Sequence, residues 1–185
     1  MKKLILLLST LLTIACQPYK DVIIDPLRPK FVTYDQTRMY FQNIRASYYD
    51  IIKAEKQHPD VTIYKYDKSV SDTTKAIIQL HLLYNPTQDN VFVMLSPNPY
   101  FEGYMHYTVK WTNTETGLWD EIRYKQGGMQ EQFRFATEIY NMLNQDDIAF
   151  EIRFGDKTVP FLTTMDERNA FRITMIDFYR LVGLL

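Results

Sequence analysis

Residues 104–124 read YMHYTVKWTNTETGLWDEIRY, and their alternation decides the fold. Met105, Tyr107, Val109 and Trp111 fall on one side of a strand, and His106, Thr108, Lys110 and Thr112 on the other. Residues 113–117 are turn formers, and 118–124 return as a second strand. Turns this short join antiparallel neighbours. The same period extends outward in both directions. Upstream, residues 61–66, 75–84 and 91–95 read as strands, with Ala76, Ile78, Leu80, Leu82 and Tyr84 on one face and Gln79 and His81 on the other. Downstream, Ile148, Phe150, Ile152 and Phe154 alternate, Gly155-Asp156 is a two-residue turn, and 157–162 return.

Two stretches carry the helical period instead. Residues 129–143 place Met129, Phe133, Ala136, Tyr140 and Leu143 on one stripe. A second helix opens with the capping box Thr164-Met165-Asp166-Glu167, runs to about Leu181 with Phe171, Met175, Phe178 and Val182 as its stripe, and stops at Gly183. Residues 38–56 send two signals. Tyr40, Ile44, Tyr48 and Ile51 fall at helical spacing, while MYFQNIRASYY is rich in strand formers. The expectation there is a strand that gives way to a helical turn near Asp50, ended by His58-Pro59-Asp60. The whole predicts an α+β domain: a curved antiparallel sheet of about seven or eight strands, with two amphipathic helices in the C-terminal half packed on one face.

The beginning of the chain has a different character. Lys2 and Lys3 precede a mostly apolar run over residues 4–15, followed by Cys16, the single cysteine in 185 residues. That run is too short to span a bilayer, which takes about 20 residues, and has the length of a secretory leader. Thr13-Ile14-Ala15-Cys16 resembles the lipobox of bacterial lipoproteins. The resemblance implies that residues 1–15 are a removed signal peptide and that Cys16 carries diacylglycerol and an N-acyl chain. An ordinary cleaved leader with an incidental cysteine is the competing reading, but it leaves a secreted chain with a free thiol. Acylation anchors the protein through Cys16 in the membrane of the cell envelope. Gln17 follows the cysteine, and the resemblance then implies sorting to the outer membrane. Residues 16–36 carry Pro18, Pro26 and Pro29 and read as a spacer, in which Val22, Ile23 and Ile24 form a small strand or a docking patch. Residues 37–185 are the globular domain. Two of its segments, QEQFRFATEIYNML (130–143) and FRITMIDFYRLVGLL (171–185), resemble the ends of uncharacterised small envelope proteins of Bacteroidota, a likeness that brings no activity or functional residue.

Composition and motifs narrow the chemistry. Without Lys2 and Lys3, 19 basic residues face 22 acidic ones, a net charge near −3, so nucleic acid is not an expected partner. No Gly-x-Ser-x-Gly elbow and no helical His pair are present, and His58, His81 and His106 lie far apart. Gly127-Gly128 before a helix lacks the Lys-Ser/Thr of a phosphate cradle. Glu102, His106, Asp120 and Glu121 are the best acid–base set, yet a symmetric hairpin puts position 106 near 124 and Asp120 near Lys110. No catalytic residue, metal or cofactor is expected. Tyr and Phe are abundant, 14 and 11, which suits a sheet and raises the question of a binding face. The proline-stiffened loop 97–104, PNPYFEGY, makes Tyr100, Phe101 and Tyr104 candidate ligand contacts, with Trp111 and Trp119 beside them. Two functions remain: a non-catalytic subunit or accessory of an envelope assembly acting through another envelope protein, or a ligand-binding lipoprotein, with glycan as the candidate ligand. An unrecognised hydrolase is the third and weakest alternative.

Overall fold

A computed structural model describes residues 22–53 and 60–185. Cys16, the leader and His58 lie outside the described residues. The chain is α+β: the described residues hold eight antiparallel strands and, in the C-terminal half, two long helices. The strands divide into two sheets. The first is a meander of β1 (Tyr49–Lys53), β2 (Thr62–Tyr66), β3 (Ile78–Asn85) and β4 (Asn90–Pro97), in that order. The second has β5 (Tyr107–Asn113), β6 (Trp119–Tyr124), β7 (Ile148–Phe154) and β8 (Lys157–Phe161) in the order β6-β5-β7-β8.

The burial of two of these strands follows their sequence period closely. β7 alternates without exception, with Ile148, Phe150, Ile152 and Phe154 buried and Ala149, Glu151 and Arg153 exposed. On β3 the predicted face Ile78, Leu80, Leu82 and Tyr84 is buried.

A short helix, α1 (Asp35–Tyr40), precedes the sheets. The two long helices are α2 (Met129–Leu143) and α3 (Met165–Leu181). The Thr164 hydroxyl accepts from the Glu167 amide and Glu167 accepts from the Thr164 amide, so the predicted capping box is present. Gly183, at φ +64°, ends α3, and the Leu184 amide donates back to the Tyr179 carbonyl. α2 packs against β4 of one sheet and β6 of the other and so joins them, while α3 covers β3 and β4. The core lies between these helices and the sheets, where Phe133 meets Phe178 and Tyr179, Tyr140 meets Tyr179, and Tyr124 meets Phe135.

Residues 38–53, the described part of the 38–56 stretch, run in the reverse order to that expected. Helix comes first: α1 continues as a π-helical turn (Phe41–Arg45) and a 3-10 turn (Ala46–Tyr48), and β1 follows. Tertiary contacts decide it. Thr37, Phe41 and Arg45 form the inward side. The Thr37 hydroxyl donates to the Leu181 carbonyl at 2.7 Å, and Phe41 is buried against Tyr49 and Tyr64. Arg45 donates two bonds of 2.9 Å to Asp177, a carboxylate with 1% exposure. The Tyr49 hydroxyl adds a third at 2.7 Å. Burial, with the Asp177 charge, pushes the Tyr49 phenol far above its ordinary pKa, so it stays a neutral donor.

The described part of the expected spacer lies against the domain. Ile24 is buried, its amide bonds the Asn141 side chain at 3.2 Å, and Asn141 donates back to its carbonyl at 2.8 Å. Further on, the Thr33 amide donates to Asp89 and the Val91 amide to Phe31, at 2.7 and 2.8 Å, which extends the first sheet beyond the edge of β4.

Candidate functional site

The aromatic loop is built as a closure on the core. Asn98 holds its base. The Asn98 side chain donates to the carbonyls of Asp72 and Lys75 at 2.6 and 2.8 Å and accepts from the Ile77 amide at 3.3 Å. A 3-10 turn (Pro99–Phe101) follows, then positive φ at Glu102 and Gly103 reverses the chain. That reversal drives Phe101 inward, where it is 1% exposed, with its ring 4.7 Å from Phe154 and 5.0 Å from Tyr107. Phe101 is a core side chain and offers no face to a ligand. Tyr100 and Tyr104 converge on the same Phe154, at 6.1 and 5.9 Å between ring centres. Tyr104 also covers Gly155, where an added Cβ would lie 2.7 Å from its ring. Glu102 pairs with Lys157 and fastens the loop to β8.

The two tryptophans do not join this cluster as one surface. The hairpin pairs Tyr107 with Tyr124, Lys110 with Glu121 and Trp111 with Asp120. This register is one residue away from the symmetric hairpin, because the turn closes from Asn113 to Leu118. Trp111 stands on the inward side, packed on the core and paired in register with Phe150. Trp119 stands on the outward side with Glu121 and Arg123, 60% exposed, and the Lys110 ammonium lies 5.1 Å over its ring. The five aromatic candidates therefore divide between a core lid and two faces of one sheet.

The outward face of the second sheet is a lattice of paired charges. Glu121 sits between Arg123 at 3.1 Å and Arg153 at 3.5 Å. A groove of about 660 Å³ runs between this face and α2, with Trp119, Asp120 and Glu121 on one side and Glu131, Arg134 and Glu138 on the other. Arg134 bonds Glu131 and Glu138, each at 2.9 Å, and donates to the Arg123 carbonyl at 2.6 Å. The acid–base set does not assemble a proton relay. Glu102 is held by Lys157, Glu121 by two arginines, and Asp120 accepts from the Glu121 amide. His81 is 8% exposed, and burial, with Lys65 nearby, holds its pKa below the ordinary value and keeps it neutral. Among the described residues no group of three or more His, Cys, Asp or Glu is placed to hold a metal ion.

The N-terminal segment is where apolar surface remains uncovered. Of seventeen exposed large apolar side chains among the described residues, eleven lie between Val22 and Ile52. Tyr40, Ile44 and Tyr48, read from sequence as a helical stripe, do share a helical path, but on its outward side; Met39 accompanies them, and Ile51 and Ile52 follow on β1. β1 is an edge strand, hydrogen-bonded on one side to β2. The sequence registers this period, but its strand formers point to a strand there, so these residues are not among the candidate contacts. Compared with protein-family models, with curated proteins and with solved structures, this chain matches none.

Proposed function

We propose that the protein is a non-catalytic, lipid-anchored component of the cell envelope, held in the outer membrane by an acylated Cys16, and that it works as a subunit or accessory bound to another envelope protein. The observation that carries this reading is the outward apolar side of residues 39–48, Met39, Tyr40, Ile44 and Tyr48, beside β1, which among the described residues is an edge strand and leaves Ile51 and Ile52 exposed on its two faces. Monomeric soluble proteins cover such a patch, and an unpaired edge invites a partner strand. Burying a large apolar side chain fully is worth about 1.5–3 kcal/mol, so covering this side supplies a substantial part of a binding energy. The partner is a protein with an apolar surface of its own. Tagged full-length protein recovered from mildly solubilised envelopes is expected to bring a stoichiometric envelope protein with it. Met39→Ser with Ile44→Ser is expected to lose that protein while the melting temperature changes little, since both side chains are exposed. Recovery of the same partner by this variant would remove the surface from the proposal.

A second reading has one observation in its favour. Trp119 stands exposed at the groove beside α2, where carboxylates and Arg134 offer hydrogen bonds around an aromatic plane. That combination suits a sugar ring better than the buried Phe101 does. Titration with neutral and N-acetylated oligosaccharides is expected to quench Trp119 emission under this reading, and Trp119→Ala is expected to abolish binding measured by calorimetry. No heat and no quenching with the unaltered protein would end it.

A further inference from the structure

We infer that the turn at residues 23–30 is a membrane-contact surface, which seats the domain directly on the lipid headgroups. This rests on the anchored reading above and adds to it a part of the protein that touches the bilayer. The argument begins with chain length. The first described residue, Val22, is six residues beyond Cys16. Whatever conformation residues 17–21 adopt, covalent geometry limits the reach from position 16 to position 22 to about 20 Å. From Ile24 onward the chain is fastened to the domain through the paired bonds with Asn141. An acylated Cys16 therefore holds this turn, and the domain with it, close to the membrane surface.

What the turn presents fits that position. Ile23 and Leu27 are 78% and 76% exposed, the two highest values among the large apolar side chains described. They flank the buried Ile24, so they are displayed by a fixed backbone. Asp25 closes the turn: its carboxylate accepts from the Leu27 amide at 2.9 Å, and its carbonyl accepts from the Arg28 amide at 3.3 Å. Arg28 is itself exposed, 3.3 Å from Asp25, and Lys30 is exposed two residues further on. Apolar side chains at the acyl boundary with basic side chains at phosphate level are what an interfacial contact requires, and the chemistry recognised is an anionic phospholipid surface. Isolated exposed apolar residues are ordinary on any protein. Here the two most exposed ones sit at the end of a tether of known maximum length.

The chain beyond residue 16 contains no cysteine, and an acylated Cys16 carries no free thiol, so a single introduced cysteine can be labelled cleanly. The test uses full-length protein produced with lipoprotein processing and reconstituted alone into phosphatidylglycerol–phosphatidylcholine vesicles. Ile23→Cys and, separately, Leu27→Cys carry a nitroxide. On vesicles, each label is expected to show several-fold more collisions with oxygen and several-fold fewer with a water-soluble nickel chelate than the same label on the Cys16→Ala chain in solution. Labels that stay as open to the chelate as in the soluble chain, while the protein sediments with the vesicles and its mass shows acylation, would overturn the contact and leave the anchor standing. A mass without acyl chains and a protein left in the supernatant would overturn the anchor, and the contact with it.

Discussion

Asp177→Ala is expected to lower stability by about 3–5 kcal/mol, because it strands a partly buried guanidinium. Asp177 is nearly inaccessible and receives Arg45 twice and Tyr49 once. A pair of this kind contributes little net energy when intact, since both charges lost water to form it. Removing one member is different: Arg45, only 20% exposed, keeps its desolvation cost and has lost its partner. In a domain of this size each 1 kcal/mol shifts the midpoint by about 2–4 °C, so thermal unfolding should begin about 10 °C lower. The damage is local as well. Arg45 and Tyr49 bind the helical segment and β1 to α3, so amide exchange over residues 35–53 should accelerate first. Replacing both ends with apolar residues, Arg45→Met with Asp177→Leu, should recover much of the loss. A double variant no more stable than the single one would show that the pair's charge is not what holds this segment.

Glu167 gives the second large effect, and here pH is the readout. Its carboxylate caps α3, accepts from the amides of Thr163 and Thr164 at 2.7 and 3.4 Å, and pairs with Lys75. Burial on its own raises the Glu167 pKa, but Lys75 and the two amides outweigh burial and bring it below the ordinary 4.5. A carboxylate depressed in the folded state contributes stability that is complete above the unfolded pKa and is lost as pH falls through the folded one. The unaltered protein should therefore keep this contribution at neutral pH and lose it progressively below pH 4.5. Glu167→Ala should cost about 2–3 kcal/mol at pH 7, from the lost cap and the partners left behind. The difference between the two proteins should shrink on acidification. A gap that stayed constant from pH 7 to pH 3 would mean that the carboxylate's charge plays no part.

Much of the fold could be read from the sequence because local signals and burial agree there. The bounds of α2 match their stripe residue for residue, and Thr164, Glu167 and Gly183 mark the ends of α3. Strict alternation placed β5 and β7. The division of the strands into two sheets was hidden, because β4 and β5 follow one another in sequence yet pair in different sheets, a tertiary outcome with no local signature. Residues 35–53 misled for a similar reason. Their order is set by Asp177, more than 120 residues away, and β-forming side chains in MYFQN are overridden by that contact. In the aromatic loop the composition was informative and the direction was not. Phe101 turns inward because Glu102 and Gly103 take positive φ, and because Phe154, the last inward residue of β7, needs a cover. The one-residue longer turn at 113–118 explains why Asp120 pairs with Trp111 in place of Lys110.

The bonds from Thr37 to Leu181 and from Arg45 to Asp177 close the first helix of the domain onto its last, across 144 and 132 residues. A chain that emerges amino end first has strands β1–β4 available to pair early, since their partners are neighbours in sequence. Residues 35–48 gain their inner partner only after α3 has been made. Until then Phe41 joins Tyr40, Ile44 and Tyr48 in facing water. The interval between synthesis of β4 and synthesis of α3 is thus the window in which this protein is most exposed to aggregation, and in which a holdase chaperone would have most to hold.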